Sequence, residues 1–247
     1  MFNKIQKKYK KSNENNLLID NCFLLHQVDT VLQKIGSDKF FSDPNQKTQR
    51  AREGFAEFFF MSAYKKLLGK NLWIIQPTDI FPDFYLLTIN EEPADFNVIG
   101  FELVEIPTRC QSFNEAFGIV ESKIKKGYPE NYNLLIYINH KNSIQWVDLL
   151  GKKIHNYYPF NQIWTIHLLF KNQNEIEYSV VNKIRPLPIK KIEVYFNEKE
   201  IYQKQFIPKI MDKYITNDGI KVTLKQEFMN EVKKTSLKKK KNKRLLQ

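Results

Sequence analysis

Apolar residues gather in runs of strand length, with polar or Gly/Pro-containing segments between them. Leu72 to Ile75, Phe84 to Ile89 and Val98 to Ile106 read as three successive strands, and Asn133 to Ile138 reads as a buried one. Arg52 to Leu68 has helical length and composition and closes at Gly69, a residue favoured just past a helix end. Ser112 to Lys126 is the next helix and stops at Gly127. At about 100° per residue, Phe113, Phe117, Val120 and Ile124 form one stripe, which must face a sheet. The pattern predicts an α/β protein with a mixed central sheet.

The flanks are less regular. Asn21 to Ile35 carries Phe23, Leu24, Val28, Val31, Leu32 and Ile35 at amphipathic helical spacing, and Gly36 to Lys47 reads as a loop. Downstream, Ile144 to Tyr157 reads as a helix, and Ile163 to Phe170 pairs with Ile176 to Ile184. Lys191 to Phe196 adds an edge strand after Pro186 and Pro188 close the folded unit. The expected organisation is a helical extension over 1–50, an α/β core over 51–190, a C-terminal extension over 191–232 and a basic disordered tail over 233–247.

Two acids interrupt the apolar runs. Asp83 follows Ile80-Phe81-Pro82, and Glu102, 19 residues later, sits in Ile99-Gly100-Phe101-Glu102-Leu103-Val104-Glu105. An unpaired carboxylate in an interior strand costs several kcal/mol, and a bound cation removes that cost. Mg²⁺ suits two carboxylates because it prefers oxygen ligands and completes its shell from water and substrate phosphate. Mn²⁺ is the expected substitute.

Pro82-Asp83 and Glu102 resemble the PD-(D/E)xK nuclease superfamily, whose pattern is a Pro-Asp at one strand and an acidic-x-Lys triplet on the next. The resemblance covers about residues 50 to 140 and implies a restriction-endonuclease-like αβββαβ core. It also implies Mg²⁺-dependent hydrolysis of phosphodiester bonds in DNA or RNA. Where the motif has its lysine, two residues beyond the second acid, this chain has Val104. In some members of the superfamily the lysine comes from the following helix. There Lys123 borders the apolar stripe, and its stem would run along apolar surface toward the carboxylates, whereas Lys126 lies nearly opposite and points to water.

The resemblance further implies a metal-binding acid on the first helix. Glu57, set among Phe60, Met61 and Tyr64, is better placed by its neighbours than Glu53 one turn earlier. The expected set is Asp83, Glu102 and Glu57 for metal, with Asp83, Glu102 and Lys123 catalytic. Strand alternation turns Glu105 away from Glu102 and makes it structural. Two other readings stay open: a domain of this fold that binds nucleic acid or a protein without cutting, and an unrelated α/β domain in which Asp83 and Glu102 are merely salt-bridged.

Composition adds a partner. Lys and Arg number 39 against 27 Asp and Glu, a net charge of +12. Eight basic residues and no acid lie between Lys233 and Arg244, and Lys4, Lys7, Lys8, Lys10 and Lys11 form a second patch. Both would attract nucleic acid, DNA before RNA, by counterion release. No run of 18 apolar residues and no signal-peptide centre occurs, so a cytoplasmic protein without a membrane partner is expected. The oligomeric state stays open, a dimer included. Cys22 and Cys110 form no disulfide framework or zinc pattern, and His140, His155 and His167 lack metal-ligand spacing. Glycine-rich phosphate loops and serine-nucleophile elbows are missing.

Overall fold

A computed structural model of the chain describes residues 18–19, 31–70, 72–75, 82–90, 94–128, 132–154, 160–172, 175–186, 190–195, 211–216 and 219–245. The helices are α1 (Ser37–Ser42), α2 (Gln46–Leu68), α3 (Phe113–Ile124), α4 (Ser143–Lys153) and α5 (Gln226–Leu245). The strands are β1 (Leu18–Ile19), β2 (Leu72–Ile75), β3 (Phe84–Asn90), β4 (Asp95–Ile106) and β5 (Asn133–Ile138), then β6 (Ile163–Asn172), β7 (Glu175–Arg185), β8 (Lys190–Tyr195), β9 (Met211–Thr216) and β10 (Gly219–Leu224). Residues 31–35 are also helical, and the rest of the helix expected from Asn21 lies outside the described residues.

β1 to β8 form one mixed sheet in sequence order, while β9 and β10 pair as a separate hairpin. β4, β5 and β6 run parallel, and the other neighbours in the large sheet are antiparallel. The two parallel steps need crossovers, which α3 and α4 supply. The molecule is therefore α/β with a mixed sheet.

Each sheet face has its own cover. Phe84, Leu86, Phe101 and Leu103 turn toward α2, whose Phe55, Phe59 and Phe60 lie in the same core. On the other face Val104, Ile136 and Ile138 meet Phe117, Val120 and Ile124 of α3 and Trp146 and Leu150 of α4. Trp73, Ile75, Leu87 and Phe96, also on that face, are covered by Met211, Phe228 and Val232. The alternation of side chains along β4 decides this division, sending even-numbered residues to the face covered by α3 and α5 and odd-numbered ones to α2.

Several boundaries move for identifiable reasons. α2 begins at Gln46, because the Asn45 side chain accepts a hydrogen bond from the Lys47 N–H and caps the helix. It ends where predicted, with Gly69 in the left-handed region at φ 62°. The segment expected as a loop holds α1, whose Phe40 is buried in the α2 core. The folded unit does not close at Pro186 and Pro188, since the apolar face of β2 to β4 needs the cover that α5 and Met211 provide. The basic tail, expected to be disordered, continues α5 as helix to Leu245, because the helix is already nucleated and anchored at Phe228 and Val232.

Candidate active site

β3 and β4 set the first two groups. Phe84 pairs with Phe101, so Asp83 stands opposite Glu102 one step further along the ladder, on the face that carries α3. The Leu103 N–H donates to Asp83 Oδ2 at 2.6 Å, which pins the carboxylate against β4. Glu102 is fully buried, and among the described residues its Oε1 accepts no hydrogen bond.

The third group comes from α3. Lys123 Nζ lies 2.9 Å from Asp83 Oδ2 and 2.8 Å from Glu102 Oε2. Phe117, Val120 and Ile124 hold the helix on the sheet, so the lysine stem lies along the apolar flank and its ammonium meets both acids. Lys126 is exposed. Val104, on the same face of β4 as Glu102, is packed among the α3 contacts.

Tyr128 closes the site from the segment after α3. Its ring centroid lies 5.7 Å from Lys123 Nζ and 5.3 Å from that of Phe160. On the other side is Gly100, two residues before Glu102 on the same face. A Cβ at Gly100 would meet Tyr132 Cδ1 at 2.9 Å and Pro82 Cγ at 3.2 Å. The absent side chain lets Pro82, and Asp83 with it, sit against β4.

The three charges act directly on one another. Burial pushes the Glu102 carboxyl up to about 7; Lys123 opposes the rise and the Asp83 charge adds to it. Burial alone would depress Lys123, but Asp83 and Glu102 outweigh it and hold the ammonium above its usual range. Burial also raises the Tyr128 phenol to about 12. Lys123 thus stays a cation at any physiological pH, while Glu102 titrates near neutrality.

On α2, Glu53 feels the Asp83 charge. Burial raises its carboxyl, Gln49 opposes the rise through a hydrogen bond, and the Asp83 and Glu105 charges add to it. Glu57 is buried further along the helix. Its aromatic neighbours are core residues, since α2 is buried all round from Gly54 to Tyr64. A helix wheel therefore gives no direction there.

Glu105 belongs to the opposite face. Arg52 Nε and one of its terminal nitrogens donate to its two oxygens at 2.7 and 3.1 Å, and Asn139 Nδ2 donates at 2.8 Å. The remaining Arg52 nitrogen donates to the carbonyls of Phe40 and Asp43, tying α1 to α2. This buried ion pair fixes the first helix relative to β4. Tyr128 lay outside the motif, whereas Gly100, an isolated glycine in a strand run, carried a readable signal of close approach.

Asp83 and Glu102 supply hard oxygen donors, and the orphaned Glu102 Oε1 fits a divalent cation. Among the described residues no set of three or more His, Cys, Asp or Glu forms a preformed metal cage. Mg²⁺ needs none, since one or two carboxylates and water suffice. No described helix is long and apolar enough to cross a membrane. Comparison with protein-family models, curated proteins and solved structures finds no match.

Proposed function

We propose that the protein is a Mg²⁺-dependent nuclease built on a restriction-endonuclease-like core. The carrying observation is the convergence of Lys123 on Asp83 and Glu102 at 2.9 and 2.8 Å, from a helix and not from the strand position that Val104 occupies. The order α2–β2–β3–β4–α3–β5 supports the same reading.

A bound Mg²⁺ would polarise the phosphate, lower the pKa of a coordinated water and stabilise the leaving oxygen. Asp83 and Glu102 would hold it, with Glu57 of α2 as the expected third acid and Glu53, which feels the Asp83 charge, one turn before it. Asp83 is kept in place by the Leu103 N–H. Lys123, permanently charged, stabilises the negative charge that develops on the phosphate in the transition state. Tyr128 limits where the ammonium can go.

The ion triad alone would also suit a domain that binds nucleic acid or a protein without cutting. Incubation of the purified chain with mixed DNA and RNA in Mg²⁺ separates the readings. Cleavage that is abolished by Asp83→Asn, with metal-free binding retained, is the expected result. Absence of cleavage in both Mg²⁺ and Mn²⁺ would overturn the nuclease reading.

A further inference from the structure

We infer that Tyr132, with Tyr85 beside it, is a stacking platform for one unpaired base of the nucleic acid whose phosphate lies at Asp83 and Glu102, so that the substrate is single-stranded. The inference rests on the nuclease reading for the place of the phosphate and extends it to the class of substrate.

The acid pair lies between two apolar covers of one sheet face. Along β4, Phe96 and Val98 belong to the cluster beneath α5, and Val104 and Ile106 to the cluster beneath α3. Gly100 and Glu102 are the positions on that face between them. Tyr85 pairs with Gly100, stands two residues from Asp83 on the same face and packs at the border of the α5 cluster. Tyr132 packs at the border of the α3 cluster. Each cover thus ends in a half-buried tyrosine beside the acids.

The Tyr132 ring is held from behind. A Cβ on Gly100 would stand 2.9 Å from Tyr132 Cδ1 and 3.0 Å from its Cε1, so one edge of the ring rests on bare backbone. The Tyr132 carbonyl accepts from the Asn161 N–H at 2.9 Å, and the side chain of the next residue, Asn133, donates to the Gly100 carbonyl at 3.2 Å. Among the described residues no aromatic ring packs on Tyr132, whereas Tyr128 is buried against Phe160. A ring fixed before binding gives up little side-chain entropy when a base stacks on it.

The spacing suits one nucleotide. Gly100 and Glu102 are about 7 Å apart along the strand, the reach from a phosphate to the base it carries. Glu102 has no exposed side-chain surface and Lys123 has 15 %, against 39 % for Asp83, so a phosphate enters past Asp83. A single strand can turn its backbone into such a recess and splay a base aside. A stiff duplex, its bases already stacked, offers neither a sharply bent backbone nor a free base face. The ring adds affinity for any base, since every base has a π-face, and the chemistry stays with Asp83, Glu102 and Lys123.

The test measures binding of the full chain in EDTA, by anisotropy, to a short labelled DNA strand without self-complementarity. A second strand of the same length is abasic at its central positions and keeps every phosphate. The wild type is expected to prefer the strand with bases by between about 5-fold and 100-fold, the scale of one stacked base. Tyr132→Phe should keep that preference and Tyr132→Leu should lose it, while affinity for the matching duplex stays the same in both. Equal affinity of the wild type for the two strands would overturn the platform without recourse to a variant. A preference that survives Tyr132→Leu, in a chain whose melting midpoint shows it folded, would remove Tyr132 from it. Duplex binding weakened as much as strand binding would overturn the single-stranded substrate. Cleavage is scored separately: a chain that shows the preference but never cuts in Mg²⁺ or Mn²⁺ keeps the platform and loses only the nuclease reading.

Discussion

The Lys123 ammonium lies 2.8 Å from Glu102 Oε2 although the two residues belong to different elements, a helix and a strand, brought together by the packing of α3 on β4. The charge that a strand-borne lysine would place beside the acid arrives from above the sheet. Val104 is then free to be core.

Removing that ammonium should therefore be specific. Lys123→Ala is expected to lower the cleavage rate by about 100-fold or more, the scale seen when one preorganised charge-stabilising donor is lost. Lys126→Ala, on the exposed side, should stay near wild type. Val104→Lys in the Lys123→Ala chain should recover part of the rate. Equal losses from the two single lysine variants would remove Lys123 from the chemistry.

Glu102 gives a pH signature. Its folded-state pKa of about 7 stands above the 4.5 of a free carboxyl, so folding favours its protonated form. The resulting stability is fully present below 4.5 and is lost as pH rises through 7. In metal-free buffer the wild type should lose melting temperature relative to Glu102→Gln across that window. Mg²⁺ affinity should move the other way, rising with pH because the bound carboxylate must be ionised. A wild-type-to-variant difference that stays constant from acid to neutral pH would contradict this account.

Gly100→Ala tests the seating of Asp83. The new Cβ would stand 2.9 Å from Tyr132 and 3.2 Å from Pro82, so one of them must shift. The expected cost is about 1–3 kcal/mol in urea unfolding, the range of core overpacking. Cleavage should fall further than stability explains, because Pro82 carries Asp83. A small side chain at Tyr132 in the same variant should restore part of both.

Arg52 and Glu105 predict stability alone. Arg52→Met leaves a buried carboxylate that, among the described residues, keeps Asn139 as its side-chain donor, and breaking such a pair costs about 3–5 kcal/mol. Denaturant titration should show a loss larger than that of Lys123→Ala, whose stranded Glu102 is relieved by protonation.

Local pattern determined much of this molecule. Runs of β-branched and aromatic residues marked β2 to β5, Gly69 marked the end of α2, and strand alternation separated Glu102 from Glu105. These are properties of periods of two and 3.6 residues, which a chain carries wherever it is placed. Tertiary structure decided the rest. How far Lys123 reaches depends on where α3 lies over β4. That Glu53 feels the Asp83 charge depends on where α2 lies over the sheet, and the apolar pattern of a helix buried all round from Gly54 to Tyr64 points nowhere. The basic segment is helical because Phe228 and Val232, preceding it, dock on Trp73 and Leu87, residues more than 130 positions away. Contacts at such separations are set by packing and loop closure, and no local period encodes them.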